Sequence, residues 1–430
     1  MNAENRKNMK RWKLCLLAFV PCALSAQVDF DDYFTPQTLC VYYTHTGDRN
    51  DDSYQIDRYR LHGEWAKSRK SLTDAFEYGN QKVVLLEPRT GQILYSYTYN
   101  TLFGEYRMTP EGESQPKTFR ECVLLPMPKE DVRLVFFTRH QGGAYEQKLD
   151  VLFSPQQEKV MPPMKQRHDV LDLHVVAPVS AAYDLLIVPE GYAVEDSAKL
   201  RRDVQRASQA ILGCSPFAEN APRFNIRALC CYSKESGISR EKSRDSVRRT
   251  VVGTSFYTFG TERYLMLEDV WKLYTLCTQV PCEHILILCN TQKYGGGGIY
   301  NWYSTVSDNR YFDYVCVHEL GHGIAGLADE YYTSEVAVQD FYPEGTEPVE
   351  PNITSLVDFG RKWQDMLDPE TPVPTRLAGE KLGVYEGAGY CAKGLYRPWM
   401  DCTMKEIKYD NFCPVCRRAF NRMFDFCCDK

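Results

Sequence analysis

The stretch His318-Glu319-Leu320-Gly321-His322 constrains this chain more than any other five residues in it. On a helix, residues four apart share a face, so His318 and His322 present two imidazoles to one point. Glu319 stands beside that point, where a general base for an activated water is needed. The flanks are apolar: Tyr314, Val315 and Val317 precede the motif, and Ile324, Ala325 and Leu327 follow it. A surface helix with one packed histidine is the competing reading, but a half-buried helix carrying these polar groups has to satisfy them, and a metal does so. The expectation is one catalytic Zn2+, which takes three protein ligands and leaves a fourth position for water.

The third ligand is sought just downstream. Gly326 falls one turn beyond His322 and can take the left-handed conformation that ends a helix. The chain then turns back and brings Asp329 to the ion, with the adjacent Glu330 as competitor. The order H-E-x-x-H-x-x-x-G-x-x-D resembles the extended motif of metzincin metallopeptidases. It has one extra residue before the glycine, and Asp329 stands where most metzincins have a third histidine.

The amino terminus sets an expectation about compartment. Arg6, Lys7, Lys10, Arg11 and Lys13 precede the apolar run Leu14 to Leu24, and Leu24-Ser25-Ala26-Gln27 offers a cleavage site after Ala26. Residues 1–26 read as a secretory signal, too short for a membrane span, and Val20-Pro21-Cys22-Ala23 is a poor lipidation site. The protein is expected to be secreted or periplasmic, without membrane insertion. Losing residues 1–26, a net of +4, takes the charge from −6 to about −10. So acidic a chain argues against nucleic acid as a partner. Of 17 cysteines, fifteen remain after cleavage. Cys413-Pro414-Val415-Cys416 reads as a structural metal half-site, a redox pair, or two halves of separate disulfides. An oxidising compartment favours disulfides, with Cys391, Cys402, Cys413 and Cys416 as the candidates.

The 404 residues after residue 26 exceed what one core usually supports, so two domains are expected, an α+β organisation overall. Residues 27–155 contain short β-branched and aromatic runs: Leu39–Tyr43, Lys82–Leu86, Ile93–Tyr99, Val132–Thr138 and Tyr145–Phe153. They read as a β-sandwich, with Glu87–Gly91 as a turn and with His45, His62 and His140 as isolated histidines in structural or surface roles. Residues 156–180 are proline-rich and read as a linker. From 181 to 430 the order is strand Tyr183–Val188, helix Ser197–Leu212, strand Phe224–Cys231, strand His284–Cys289, then the motif helix. This is an α/β zincin-type order. Just before that helix, Gly295-Gly296-Gly297-Gly298 forms either a flexible loop or a sheet edge onto which an extended peptide substrate can add. Asn352-Ile353-Thr354 reads as a loop or helix start with Asn352 as a cap.

Several segments together look like the igalysin (M64, IgA-peptidase-like) family of metallopeptidases in the metzincin clan. They are His318-Glu319-x-x-His322, Gly326-Leu327-Ala328-Asp329-Glu330-Tyr331, Glu386-Gly387-Ala388-Gly389-Tyr390, Tyr396-Arg397-Pro398, Cys402-x-Met404 and Phe412-Cys413-Pro414-Val415-Cys416. The resemblance implies a methionine turn under the metal, for which Met404 is preferred to Met400. It also implies an endopeptidase acting on protein or peptide chains. Glu319 would accept a proton as water attacks the carbonyl and return it to the leaving amine. Tyr331, Tyr396 and Tyr409 are candidates for a second oxyanion donor. The rival readings are an exported zinc amide hydrolase acting on cell-wall peptides, and a binding module with a vestigial metal site.

Overall fold

The computed structural model describes residues 28–140, 143–165, 168–332, 341–376, 379 and 381–429. The signal-like segment 1–26 lies outside them. A short helix α1 (Phe30–Tyr33) leads into β1 (Phe34–Gly47) and β2 (Asp52–Glu64). Then come β3 (Gln81–Leu86), β4 (Ile93–Tyr99), helix α2 (Leu102–Tyr106), β5 (Lys117–Pro128), β6 (Val132–Arg139), β7 (Tyr145–Phe153) and β8 (Val160–Met161). These strands make two four-stranded sheets, ordered β5-β1-β2-β8 and β4-β3-β6-β7. Glu87–Gly91 turns β3 into β4, with Gly91 at φ 71 and its N–H donating to the Glu87 carbonyl at 2.9 Å.

Strand periodicity explains how the first sheet is buried. Leu39, Val41 and Tyr43 of β1 share a core with Val83, Leu85, Leu134 and Phe136 of the facing sheet. The alternate residues Cys40 and Tyr42 point the other way, into a core with Leu186, Val188, Ile285 and Ile287. Both faces of β1 are therefore covered, which is why Leu39–Tyr43 lacks a polar alternation. The segment 156–180, read as a linker, supplies a strand to each part. β8 pairs parallel with β2, and β9 (Val170–His174) joins the next sheet.

That sheet is completed by β10 (Tyr183–Glu190), β11 (Phe224–Leu229), β12 (His284–Cys289), β13 (Gly296–Gly298) and β14 (Tyr303–Ser307), in the order β13-β14-β12-β10-β11-β9. The four inner strands are parallel, and the two edges, β13 and β9, are antiparallel to their neighbours. β10, β12 and β14 are buried at every position, as central strands covered on both faces are; β14 is nonetheless hydroxyl-rich, with Ser304, Thr305 and Ser307 all buried. The helices are α3 (Ser197–Leu212), α4 (Phe217–Asn220), α5 (Trp271–Leu276), α6 (Phe312–Ala325) and, after the hairpin β15 (Tyr385–Ala388) and β16 (Cys391–Arg397), α7 (Pro414–Cys427). Leu200, Val204, Ala207 and Ile211 form the buried face of α3, at helical spacing. The α6 helix shares one core with α3, α7 and the sheet. The architecture is mixed α/β, with a sheet-rich amino-terminal part. No described helix is long and apolar enough to cross a membrane.

Candidate metal centre

Helix α6 ends at Gly326, which takes φ 62 in the left-handed region. The Leu327 amide donates to the Gly321 carbonyl at 3.1 Å, closing the helix end and sending residues 327–330 back beneath it. The result is a triangle of ligand-type atoms. His318 Nε2 and His322 Nε2 are 3.2 Å apart, and Asp329 Oδ1 lies 3.1 Å from the first and 3.4 Å from the second. Bonds of 2.0–2.1 Å in tetrahedral zinc coordination give edges of roughly 3.3 Å. Both Nδ1 atoms face backbone carbonyls, His318 that of Thr403 at 3.0 Å and His322 that of Leu327 at 2.6 Å. Protons on Nδ1 leave both Nε2 lone pairs directed at the centre, and Asp329 Oδ1 is buried with no hydrogen-bond donor. These residues fit a zinc ion.

The electrostatics agree. Burial by itself pulls His322 down, yet the Asp329 carboxylate, with Glu319, raises it to about 9. Burial pushes Asp329 up, and the two imidazoles outweigh it and hold the carboxylate well below its usual range. Burial also raises Glu319, with the imidazoles pulling against it. The pocket thus favours positive charge at its centre. Glu319 also lies within 4.8 Å of both imidazole nitrogens, but Asp329 makes the shorter triangle, and Glu319 lies over Gly296 instead. Glu330 turns away, its Oε1 3.0 Å from Asn352 Nδ2 and 3.3 Å from Cys416 Sγ.

Met404 is fully buried under α6, so close that a Cβ on Gly321 would sit 2.8 Å from its Sδ. Met400 lies elsewhere, 3.5 Å from an Arg397 nitrogen. Gly296, Gly297 and Gly298 form the edge strand β13 and line a cleft of about 500 Å³ over the triangle, whereas Gly295 packs against Phe256 outside the lining. The outer edge of β13 is bridged at Gly296 by Tyr264. Tyr331 lines the cleft and donates to Asp329 Oδ2 at 2.8 Å, joined there by the Tyr390 hydroxyl. Tyr409 donates to the Ala210 carbonyl, and neither it nor Tyr396 lines the cleft. The expected disulfides are a correction. No described cysteine is disulfide-bonded: Cys402, Cys413 and Cys416 are buried together with Cys402 Sγ 3.8 Å from Cys416 Sγ, and Cys391 lies in β16.

A family model described as IgA Peptidase M64 matches residues 171–381 and 376–424, and one described as Peptidase M64 N-terminus matches residues 29–150. The chain belongs to the M64 peptidase family. No curated protein matches it. Family membership makes it a metallopeptidase, with a protein or peptide as its substrate class.

Sequence reasoning missed what the amino-terminal part of this M64 peptidase brings to the cleft: Tyr78, Asn100 and Glu105 all line it. Glu105, in the two-turn-or-less helix α2, accepts a hydrogen bond from Tyr264 at 2.5 Å. Burial pushes its carboxyl up to about 7, with the Tyr264 contact pulling against that. No periodicity or motif announces these residues. Asn352 also differs from its expected role. It is no cap but a buried clamp, accepting from the Ala328 amide at 2.8 Å and donating to the Ala328 carbonyl at 2.9 Å.

Proposed function

We propose that this M64 peptidase is an exported zinc endopeptidase in which His318, His322 and Asp329 hold the ion and Glu319 is the general base. The observation that carries the reading is the near-equilateral triangle of His318 Nε2, His322 Nε2 and Asp329 Oδ1, at 3.1 to 3.4 Å. Zinc held there supplies Lewis acidity toward the scissile carbonyl and toward water. Glu319 takes a proton from the attacking water and returns it to the leaving amine, and its burial beside the imidazoles favours such exchange. Tyr331 and Tyr390 orient Asp329 through its second oxygen. Met404 forms the floor beneath α6 without ligating.

The substrate is read as an extended peptide running along β13, where Gly297 and Gly298 keep the backbone accessible from the cleft. The two packed amino-terminal sheets are read as a β-sandwich, and the six-stranded sheet with α6 as a zincin fold of the metzincin type. Residues 1–26 are read as a cleaved export signal, which amino-terminal sequencing of the exported protein checks.

The deciding experiment measures cleavage of an unfolded protein by wild type, Glu319→Gln and Asp329→Ala, with bound zinc counted in each. Glu319→Gln is expected to keep its zinc and lose turnover by about 10²–10⁴-fold. Asp329→Ala is expected to lose zinc and turnover together. Zinc retained in Asp329→Ala would overturn the ligand assignment. Cleavage confined to cell-wall peptides would move the reading to an amide hydrolase.

A further inference from the structure

Behind the triangle lies a second convergence of ligand atoms that the peptidase chemistry does not use. Glu330, Cys402, Cys413 and Cys416 each place one ligand atom within 4.8 Å of all the others, and all four residues are buried. They come from three separate segments: the turn after α6, the stretch just before Met404, and the first turn of α7. Cys402 Sγ and Cys416 Sγ are 3.8 Å apart, and Cys416 Sγ is 3.3 Å from Glu330 Oε1. Bonds of about 2.3 Å to sulfur and 2.0–2.2 Å to oxygen in a tetrahedral site give edges of roughly 3.8 Å and 3.6 Å. A disulfide needs sulfurs about 2.05 Å apart, far closer than this pair.

Two further observations point to an ion. Glu330 Oε2 is buried with no hydrogen-bond partner, a costly state for a carboxylate unless a cation or proton satisfies it. The amides of Cys413 and Cys416 donate to Cys402 Sγ at 3.4 Å and to Cys413 Sγ at 3.5 Å, and Cys413 is the N-cap of α7. Amide donors and a helix amino terminus both favour thiolate over thiol.

We propose that Glu330, Cys402, Cys413 and Cys416 form a second, closed metal site that takes a thiolate-preferring divalent cation, zinc foremost. Binding releases the thiol protons to solvent and forms three metal–sulfur bonds and one metal–oxygen bond, so no open position remains for water or substrate. The site is structural, and its ligands interleave with the parts of the catalytic centre. Glu330 follows Asp329, and its amide donates to the Met404 carbonyl at 2.8 Å. Cys402 precedes Thr403, whose carbonyl holds His318 Nδ1. An ion here ties the third-ligand turn, the methionine segment and α7 together. The inference goes beyond the peptidase reading and does not rest on it.

The test counts zinc in the full chain after desalting, for wild type, His318→Ala/His322→Ala and Cys413→Ser/Cys416→Ser. Two ions per wild-type chain are expected, falling to one in either double variant. Cobalt-substituted wild type and His318→Ala/His322→Ala should both show a thiolate-to-cobalt absorption band. Should the cysteine variant not fold, alkylation of wild type decides instead: Cys402, Cys413 and Cys416 should be protected in the zinc form and labelled after chelation. A single ion that vanishes with the histidines, absence of the cobalt–thiolate band, or a disulfide among these three cysteines would each overturn the proposal. A single wild-type ion that survives His318→Ala/His322→Ala and is lost in Cys413→Ser/Cys416→Ser would count against the peptidase reading and leave this site standing.

Discussion

Asp329 shows how single residues prepare the centre. One of its oxygens faces the two imidazoles, and the other is held by the hydroxyls of Tyr331 and Tyr390. Removing a hydrogen bond of this kind typically weakens metal binding by about 10–100-fold. Tyr390→Phe should therefore lose zinc to a competing chelator at lower chelator concentration than wild type. A different buried charge sits in the amino-terminal part. His45 lies between Glu121 at 3.1 Å and Asp52 at 2.8 Å, all three buried, so it is no isolated histidine. Burial lowers His45, but the two carboxylates outweigh it and raise it above 6.5. Burial raises Asp52, and the His45 contact outweighs that and holds it below 3.8. The His45 contribution is thus complete below about pH 6.5 and fades as pH rises through its raised value, while that of Asp52 is present above about pH 4 and fades in acid. His45→Gln should cost about 3 kcal/mol near pH 6. The gap between its unfolding midpoint and that of wild type should narrow toward alkaline pH, and a gap that widens there would contradict the assignment.

Helix α6 and strand β13 work as a pair. A Cβ on Gly298 would meet the Glu319 carbonyl oxygen at 2.3 Å and His322 Cβ at 2.9 Å. The glycine run is therefore required by the close approach of the helix as well as by any peptide at the edge. Gly298→Ala should push α6 off the strand and reduce zinc content and turnover together; full zinc with full activity would refute that packing argument. The elements that periodicity revealed were those whose pattern is local, such as α3, β10 and β12. The long strands β2 and β5 escaped notice because β2 alternates charged and apolar residues around exposed positions, and β5 mixes Arg120, Glu121 and proline with its apolar residues. β13 was legible only as a choice between loop and edge, since three glycines carry no side-chain pattern.

Across the whole molecule, the amino-terminal part is a wall of the catalytic one. Phe103, Tyr106, Phe119 and Cys122 share a core with Leu186, Val188 and Trp302, and the Tyr97 hydroxyl donates to the Asn301 carbonyl at 2.6 Å. A chain beginning at residue 154 would expose the sheet face that β1 and β5 cover, and is expected to be insoluble or to bind a hydrophobic dye strongly. Recovery of a soluble, active fragment would show that the shared core is dispensable. In the intact protein, Glu105→Ala should change KM for a peptide more than zinc content, because Glu105 lines the cleft without belonging to the triangle.

The motif helix, its glycine stop and the turn that returns Asp329 and Glu330 toward the histidines were legible because Asp329 lies only eleven positions beyond His318, and local geometry over so short a span follows from spacing. The central strands were legible for the same local reason. Spacing favoured Asp329 over Glu330, but what fixes that choice was not legible. Asp329 and Glu330 are neighbours, and their directions follow from Tyr390, Asn352 and the cysteine cluster, which come from elsewhere in the chain. The same holds for Thr403 behind His318 and for Glu105 in the cleft. Such contacts join residues tens to hundreds of positions apart, and packing creates them without leaving a periodicity or spacing in the chain.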